Sequence, residues 1–582
     1  MQNKRFTQSI LRLASILGIL IFLNLIASFY YGSIDLTEDK RFTLNEATYQ
    51  LMADLDDAVT IEILLEGEFP SSFKRLQSAT DDLLTKLKSH SSKINIRWIN
   101  PMSGTKEENL ENGKRLQNDG IYPINLTNAG KGGAVKKAML VFPYAVIRYK
   151  QQKQIIPLLE TTGAYNTDYT RVETINPSIN LLEYKFANAI HKLQLKERPR
   201  MVILTGHGEL QRPFTESLEA AMYEYYDYSR LNLDKVNHID TNIHVVIIPK
   251  PLRPFGDKHL FKIDQYIMNG GKVIWLIDPL NMELDSMRKL GTFMPNEHKL
   301  DIHNLLFNYG VRINPNLVLD WESTVIPLDV SAIPGQPDIK ARKWFYHPKL
   351  KPYMTPLDAQ ETGFNTIQHP IVQNLEFVDA RYPASIDTIR TLNYIKKTPL
   401  LRSSKYSKVQ YPPVRVSFGI LDQGIGQAAF AKGNQDIAVL LEGSFSSYYK
   451  DRVTDSMMAG LARMGQPYKA NGKATKMIVV ADGDIAKNDI YPNGKPLPLG
   501  FNRFDKFNYG NKDFLMNCLE YMIDNRGIIA ARNKEIKLRP MDQERAYREE
   551  LFWQFTNLIA PIIVLAIIGI CYNIIRRKRF RK

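Results

Sequence analysis

The sequence has 582 residues, 44% of them hydrophobic and 24% charged, and its 76 Lys and Arg outnumber its 61 Asp and Glu to give a net charge of +15. These fractions are typical of a folded protein of several domains, and they exclude a disordered tail protein and a collagen-like fibre. The two cysteines, Cys518 and Cys571, are too few and too far apart for a CxxC redox pair, a thiolate zinc site or a disulfide framework.

The first predicted element is an uncharged apolar run at residues 13–31. At about 1.5 Å per residue, a helix of this length crosses a hydrocarbon core of about 30 Å. Lys4, Arg5 and Arg12 precede the run without an acidic residue, which predicts that residues 1–12 are cytoplasmic. A cleaved signal peptide is the alternative, but the run ends in bulky side chains and not in the small residues of a cleavage site. We therefore expect an uncleaved transmembrane helix.

Residues 33–195 predict an N-terminal α/β domain. An apolar strand at residues 59–65, an amphipathic helix and a strand at residues 94–99 follow one another in βαβ order. Two later apolar runs, at residues 138–149 and 154–159, predict a hairpin. The order is thioredoxin-like in outline, but the cysteines of that fold are missing.

Residues 198–530 predict a second, larger α/β domain. Short apolar strands alternate with helices, and this alternation is typical of a mostly parallel sheet that helices cover on both faces. The predicted strands are residues 201–205, 244–251, 272–279, 438–445 and 477–484. A stretch rich in proline near residues 319–368 is interpreted as an insertion, and no element is assigned to it.

A second uncharged apolar run, residues 551–575, predicts another transmembrane helix, with a buried core helix as the alternative. The juxtamembrane residues 531–550 carry balanced charges, whereas residues 576–582 contain six cations. Since Lys and Arg favour the cytoplasmic side, both termini are predicted to be cytoplasmic and the body to lie across the membrane. The predicted fold class is α/β, with two α/β units between two transmembrane helices.

Polar side chains follow four of the predicted strands. In open parallel sheets, ligands bind beyond the carboxyl ends of the strands. A histidine near carboxylates can serve acid–base chemistry or hold a metal, although the same residue types also serve as turn and cap residues. The candidate ligand-binding or partner-binding residues are His207, Glu209, Asp278, Glu442, Asp482 and Asp484.

Several nucleotide and metal motifs are missing. The sequence contains no GxxxxGK[ST], no GxGxxG after a strand and no HExxH. We therefore expect no ATP hydrolysis by this chain, no cofactor and no metal site, and we assign no catalytic residue. The basic tail RRKRFRK is interpreted as a topology determinant that attracts anionic lipid, because the remaining positive charge is too diffuse for a nucleic-acid interface.

Eight blocks along the chain together resemble the gliding-motility-associated ABC-transporter auxiliary family, the GldG-like proteins. No single block is a catalytic signature, but they occur in order and span almost the whole sequence. The blocks are IDLTEDKRFTLNEAT (34–48), GHGEL (206–210), KIDQYIMNGGKVIWLID (262–278), NYGVRIN (308–314), HPIVQNL (369–375), VLLEGSFSSYY (439–449), NKDFLMNCLEYMID (511–524) and WQFTNLIAP (553–561).

The resemblance implies an inner-membrane subunit of an ABC-type complex in diderm gliding bacteria, with a periplasmic body. Its implied partners are a separate permease and a separate ATPase, and its implied role is auxiliary or substrate-binding, linked to gliding motility and protein secretion. The family's central region also resembles a domain of an intraflagellar transport subunit, which implies a fold amidotransferase-like in outline. The family has no established catalytic residues, so the resemblance implies none here.

Three hypotheses about function follow. The first is a non-enzymatic transporter subunit whose body binds a client or partner protein. The second is a membrane-anchored periplasmic hydrolase that uses His207 with Glu209, Asp278 or Asp482, which requires these side chains to converge in a concave pocket. The third is a small-molecule receptor whose ligand lies in the crevice at the strand ends.

Overall fold

The computed structural model divides the chain into two compact units, residues 1–535 and 536–582. We treat each unit by itself. The residues that the structure describes are 15–19, 21–22, 24, 43–127, 138–161, 163–164, 172–285, 287, 291–331, 336, 338–353, 369–391, 393–463, 465–533 and 548–580.

Helices and strands both occur throughout the first unit, which confirms the α/β class. The helices are α1 (Glu46–Ala53), α2 (Ser71–His90), α3 (Lys106–Asn118), α4 (Val172–Gln194), α5 (Glu216–Tyr225), α6 (Asp257–Met268), α7 (His303–Tyr309), α8 (Asp455–Arg463), α9 (Asn511–Ile523) and, in the second unit, α10 (Glu550–Phe580).

The strands are β1 (Val59–Ile63), β2 (Ile94–Trp98), β3 (Ile124–Thr127), β4 (Ala138–Val141), β5 (Tyr144–Tyr149), β6 (Gln152–Pro157), β7 (Gly163–Ala164), β8 (Arg200–Thr205), β9 (Asp227–Asn232), β10 (Ile243–Pro249), β11 (Lys272–Leu276), β12 (Thr292–Phe293), β13 (Val311–Ile313), β14 (Leu317–Asp320), β15 (Ser323–Asp329), β16 (Ile339–Pro352), β17 (Val378–Asp379), β18 (Ile386–Thr388), β19 (Ile395–Arg402), β20 (Ser407–Gln410), β21 (Val416–Ser417), β22 (Asp436–Ser446), β23 (Asn471–Val480), β24 (Phe501–Asn502) and β25 (Phe507–Asn508).

A small sheet near the amino terminus has the strand order β2-β1-β5-β6. Strands β1 and β2 are parallel, as the intervening helix α2 requires, and β5 and β6 form an antiparallel hairpin beside β1. Helix α2 buries Phe73, Leu76, Leu83, Leu84 and Leu87 along one face. That spacing of three and four residues is why this segment forms an amphipathic helix.

The large sheet has the order β15-β16-β19-β22-β23-β11-β10-β8-β9, with β17 pairing beside β16. Strands β9, β8, β10, β11 and β23 are parallel, whereas β22, β19, β16 and β15 pair antiparallel. Only half of the strands in this sheet are therefore parallel, whereas the sequence predicted a mostly parallel sheet. The continuous apolar run at residues 437–441 explains the error, because a strand covered on both faces is apolar whatever its direction.

Helices and loops cover both faces of this sheet. Val246 and Ile248 of β10 pack on the side of α6 and α7, and Val245 and Ile247 pack on the side of α5 and α9. Trp275 of β11 is completely buried on the first side. Full burial of such a side chain contributes roughly 1.5–3 kcal/mol, so these two layers hold the parallel strands in place.

The described residues of the proline-rich stretch at 319–368 are mostly in β-strands, to which the sequence assigned no element. Strands β15 and β16 form a hairpin across it, and residues 354–368 lie outside the described part. Trp344 and Tyr346 of β16 are buried. The start of the same strand is exposed and carries Lys340, Arg342 and Lys343, so the sequence shows no apolar strand pattern there.

The second unit contains α10. Of the residues that the structure describes, Phe552–Arg579 is the one helix long and apolar enough to cross a membrane. It agrees with the predicted span at residues 551–575, and its apolar side chains are exposed. Most of the other predicted span, residues 13–31, lies outside the described part, as do residues 1–12 and most of residues 531–550.

Candidate functional site

The carboxyl ends of β8, β10, β11 and β23 meet at one edge of the large sheet, which we call the carboxyl edge. Five of the six predicted site residues lie there, and all five are buried: His207, Glu209, Asp278, Asp482 and Asp484.

Glu442 does not lie at the carboxyl edge. Strand β22 runs antiparallel to β23, so Glu442 pairs with Lys476, just before the segment of β23 that pairs with β11. It accepts a hydrogen bond from the Tyr521 hydroxyl at 2.6 Å. The prediction that Glu442 lies at a strand end is wrong, because β22 continues beyond it to Ser446.

Lys250, which directly follows β10, joins two of the predicted carboxylates. Its Nζ lies 2.9 Å from Asp278 Oδ2 and 2.7 Å from Asp484 Oδ2, and all three side chains are buried. Asp278 also accepts a hydrogen bond from the backbone N–H of Gly483. A Cβ on Gly483 would lie 2.6 Å from the Lys250 Cβ, so the close approach of the two chains requires glycine. The single lysine between Pro249 and Pro251 was the missed sequence signal.

Asp482 and Arg381 extend this group of charges. Asp482 accepts hydrogen bonds from the backbone N–H groups of Arg381, at 2.7 Å, and Asp484, at 2.8 Å. The Arg381 guanidinium binds both carboxylate oxygens of Asp489, at 2.7 and 3.0 Å, and its Nε lies 3.5 Å from Asp379. We call Lys250, Asp278, Arg381, Asp482 and Asp484 the lysine cluster.

Protonation differs among the acids of the lysine cluster. Burial and the neighbouring Asp278 and Asp484 raise the pKa of Asp482 well above its usual range. Burial also acts to raise the pKa of Asp484, but Lys250 and Lys487 outweigh it and hold that pKa low. A buried cluster in which one lysine bridges two carboxylates resembles a structural clamp more than a site open to substrate.

His207 belongs to a separate chain of four side chains, which we call the histidine relay. Its Nδ1 lies 3.0 Å from Glu209 Oε1, and its Nε2 lies 2.9 Å from Nδ1 of His259. The Nε2 of His259 lies 3.1 Å from an oxygen of Asp234, whose side chain is 71% exposed. The relay thus leads from a buried carboxylate to a surface one. His259, in the first turn of α6, and Asp234 were not found from the sequence.

The local structure holds His207 in place and favours the neutral form of His259. The ring of His207 stacks on Phe255 with centroids 3.9 Å apart, and its backbone N–H donates to Glu209 Oε2 at 2.7 Å. Burial and the neighbouring His207 lower the pKa of His259. Among the described residues, neither imidazole bonds to a hydroxyl or thiol. The relay can pass a proton, but it has no nucleophile in place.

The crevice at the carboxyl edge is filled by the chain itself. Strand order reverses between β8 and β10, where ligands of such sheets commonly bind. The backbone N–H groups of Leu252 and Arg253 both donate to the His207 carbonyl at 2.8 Å. Gly208 has φ +80°, and a Cβ there would lie 3.1 Å from the Leu252 Cβ. These contacts occupy the position that a ligand would take.

A cavity of about 690 Å³ lies on the opposite side, by the amino ends of β8 and β10. Its wall includes Gln194, Tyr225 and Ile523, the last residues of α4, α5 and α9. Within the described residues, no group of three or more His, Cys, Asp or Glu side chains is arranged to hold a metal ion.

Comparisons with known proteins identify a family. A family model described as an ABC-type uncharacterized transport system matches residues 198–518, and a domain of unknown function, DUF7088, matches residues 38–148. None of the curated proteins matches the chain.

Solved structures give weak likenesses. The "mmIFT52 N-terminal domain" shares 10% identity at a TM-score of 0.29, covering 56% of this chain and 98% of its own. The "Structure of PurLQS from Thermotoga maritima" shares 12% identity at a TM-score of 0.21, covering 56% of this chain and 99% of its own.

The family match extends over more than half of the sequence and confirms the predicted ABC-transporter auxiliary family. The chain belongs to the ABC-type uncharacterized transport system family.

Proposed function

We propose that the chain is a membrane-anchored, non-enzymatic auxiliary subunit of an ABC-type transporter, and that its large body binds a client or partner protein. The observation that carries the proposal is α10. Its apolar side chains, such as Ile562, Leu565 and Ile568, are 59–68% exposed, although an aqueous surface does not favour so large an apolar area. Lipid and the apolar helices of a permease are the surroundings that such a helix requires.

The proposed topology has two spans, at residues 13–31 and 551–575, with the body in the periplasm and both termini in the cytoplasm. Lys and Arg next to both termini support this orientation. Alkaline phosphatase, which is active only in the periplasm, is expected to be inactive when fused after Lys582 and active when inserted after Gly465. The reverse pattern would overturn the orientation.

The proposed partners are a separate permease and a separate ATPase in the bacterial inner membrane, with anionic lipid at the basic tail. Movement of permease helices during ATP hydrolysis would reach the body through its two anchors. The sequence blocks that resemble gliding-motility proteins support a link to gliding motility and protein secretion.

Hydrolysis is the alternative that the sequence left open, and the geometry does not favour it. His207 contacts Glu209 and His259, whereas Asp278 and Asp482 belong to the lysine cluster. These acids therefore form two separate buried groups and do not converge on one another. The segment that fills the crevice at the carboxyl edge removes the support for a receptor whose ligand lies there.

Co-purification in mild detergent tests the proposed function. The tagged chain is expected to retain one ATPase and one permease at stoichiometric yield. A matched variant, in which residues 551–575 are replaced by an unrelated Leu/Ala span of equal length, remains anchored and is expected to lose both partners. Absence of both partners from the wild-type preparation would overturn the proposal.

A further inference from the structure

The three contacts of the histidine relay need more hydrogens than two neutral imidazoles supply. Nδ1 of His207 lies 3.0 Å from Glu209 Oε1, and its Nε2 lies 2.9 Å from Nδ1 of His259. Nε2 of His259 lies 3.1 Å from Asp234 Oδ1. Carboxylate oxygens and bare ring nitrogens only accept, so each contact requires one hydrogen between its two atoms. Two neutral imidazoles carry two hydrogens, whereas the three contacts require three.

The third hydrogen is an additional proton, whichever atom carries it. When Glu209 is ionised, both nitrogens of His207 carry hydrogens, and Nε2 of His207 donates to His259. When Glu209 is protonated, it donates to His207 and the total is again three. In both arrangements His259 is neutral, and its single hydrogen, on Nε2, faces Asp234. Burial and the neighbouring His207 lower the pKa of His259, which favours the same neutral form.

The charged groups around the two imidazoles come from each element packed against them. Glu209 after β8 and Asp234 after β9 bind the two ends of the relay. Lys262 of α6 adds to the lowering of the His259 pKa by burial, and its Nζ donates to two backbone carbonyls at 2.7 and 2.8 Å. The remaining charged side chains of residues 251–259 are exposed: Arg253, Asp257 and Lys258. Glu209 and Asp234 are therefore the acids that balance the additional proton.

The relay borders the segment at residues 251–255, which fills the crevice at the carboxyl edge. The carbonyl of His207 accepts hydrogen bonds from the backbone N–H groups of Leu252 and Arg253, each at 2.8 Å. The ring of His207 stacks on Phe255, with centroids 3.9 Å apart. One residue thus binds both ends of the segment, and the orientation of its ring depends on its two neighbours in the relay.

We propose that the histidine relay is a pH-dependent latch, which holds residues 251–255 in the crevice while it contains one proton beyond two neutral imidazoles. Loss of that proton leaves one contact without a hydrogen, so two lone pairs face each other. Gain of another proton on the rings places two hydrogens between His207 and His259, which then repel. Either change releases the ring of His207 from a partner and opens the segment. The latch does not depend on the proposed transporter role, because it operates within this chain alone.

The number of protons held by the relay determines the pH at which the latch is strongest. A histidine free in water has a pKa near 6.5, so two released histidines together hold about one proton at about pH 6.5. Below that pH the released histidines hold more protons than the closed relay, and above it they hold fewer. The stability of the closed form therefore rises toward about pH 6.5 and falls on either side.

Hydrogen exchange of the full-length protein in detergent tests the latch directly. The amides of Leu252 and Arg253 exchange when the segment opens, so their protection, corrected for the pH dependence of unstructured amides, measures its closure. Protection is expected to be greatest near about pH 6.5 and to be about fivefold to tenfold lower at about pH 5 and about pH 8. Each pH unit changes closure tenfold for every proton by which the open and closed forms differ. Protection that rises or falls steadily across this range overturns the proposal.

Matched variants assign the pH dependence to the relay. His259→Gln is expected to abolish the maximum near about pH 6.5, because a single remaining histidine changes stability in one direction only. His238→Gln alters an exposed histidine outside the relay and is expected to keep the maximum. Thermal unfolding confirms that each variant is folded. A maximum that persists in His259→Gln, or that disappears in His238→Gln, contradicts the assignment to the relay.

Discussion

The two edges of the parallel strands are built in opposite ways. At the carboxyl edge, charged side chains are buried and paired in the lysine cluster, and the crevice between β8 and β10 is filled by the chain. At the amino ends of β8 and β10, by contrast, the last residues of α4, α5 and α9 line an open cavity of about 690 Å³. The carboxyl edge, where such sheets commonly bind ligands, has therefore become a structural joint, and space for a ligand is found at the other edge.

The largest expected effect tests whether the carboxyl edge is such a joint. Lys250→Met leaves Asp278 and Asp484 buried without their cation, so the free energy of unfolding is expected to fall by about 3–5 kcal/mol. Urea denaturation measures this loss. Lys487→Met is the matched control, because Lys487 lies 3.6 Å from Asp484 and is more exposed, and it is expected to cost less than about 1 kcal/mol. Equal stability of Lys250→Met and wild type would contradict a stabilising role of the lysine cluster.

The second-largest loss of stability is expected where Gly483 packs against Lys250 at the carboxyl edge. Gly483→Ala places a Cβ 2.6 Å from the Lys250 Cβ and is expected to lower the free energy of unfolding by about 1–3 kcal/mol. Gly460→Ala in α8 has open space around it and is expected to be neutral or stabilising by up to about 1 kcal/mol. A neutral Gly483→Ala would show that the two strand ends are free to separate.

The amino side is expected to respond to acid through His369, which packs against Tyr521 of α9 with ring centroids 4.7 Å apart. Burial lowers the pKa of His369 to about 4, below the value near 6.5 of an unfolded histidine. The folded state therefore binds fewer protons, and stability is lost as the pH falls from about 6.5 to 4.

His369→Gln removes that loss. The variant is expected to be more stable than wild type by about 2 kcal/mol at pH 5 and equal to it at pH 7.5. Thermal unfolding across this pH range provides the measurement. An identical pH dependence of the two proteins would show that His369 is accessible to protons in the folded state.

The smallest effect concerns the exposed end of the histidine relay. Asp234 raises the pKa of His259, so Asp234→Asn is expected to lower that pKa further while changing stability by less than about 0.5 kcal/mol. An NMR titration of the imidazole measures the shift. Asp240→Asn, at another exposed aspartate, is the control. An unchanged His259 titration in Asp234→Asn would mean that the relay ends at His259.

The apolar patterns of the sequence predicted where residues lie in the fold better than which residues they contact. The apolar runs placed β8, β10, β11 and β23 correctly, and with them five of the six strand-end residues. Strand direction was not predictable for β22, because its burial pattern is the same in either direction, and Glu442 was misplaced because the strand continues beyond it to Ser446. Lys250 and His259 were not predicted as site residues, because their roles come from contacts with residues far away in the sequence. Lys250 contacts Asp484, and His259 contacts His207.

The lysine cluster also bears on the order in which the protein folds. Lys250 and Asp484 are separated by 234 residues, and β23 pairs with β11 across a similar gap. A chain that emerges from its amino terminus exposes an unpaired Lys250 and an open edge on β11 until β23 arrives. The parallel half of the large sheet therefore cannot be completed before residue 480 has emerged, and contacts between such distant segments form slowly.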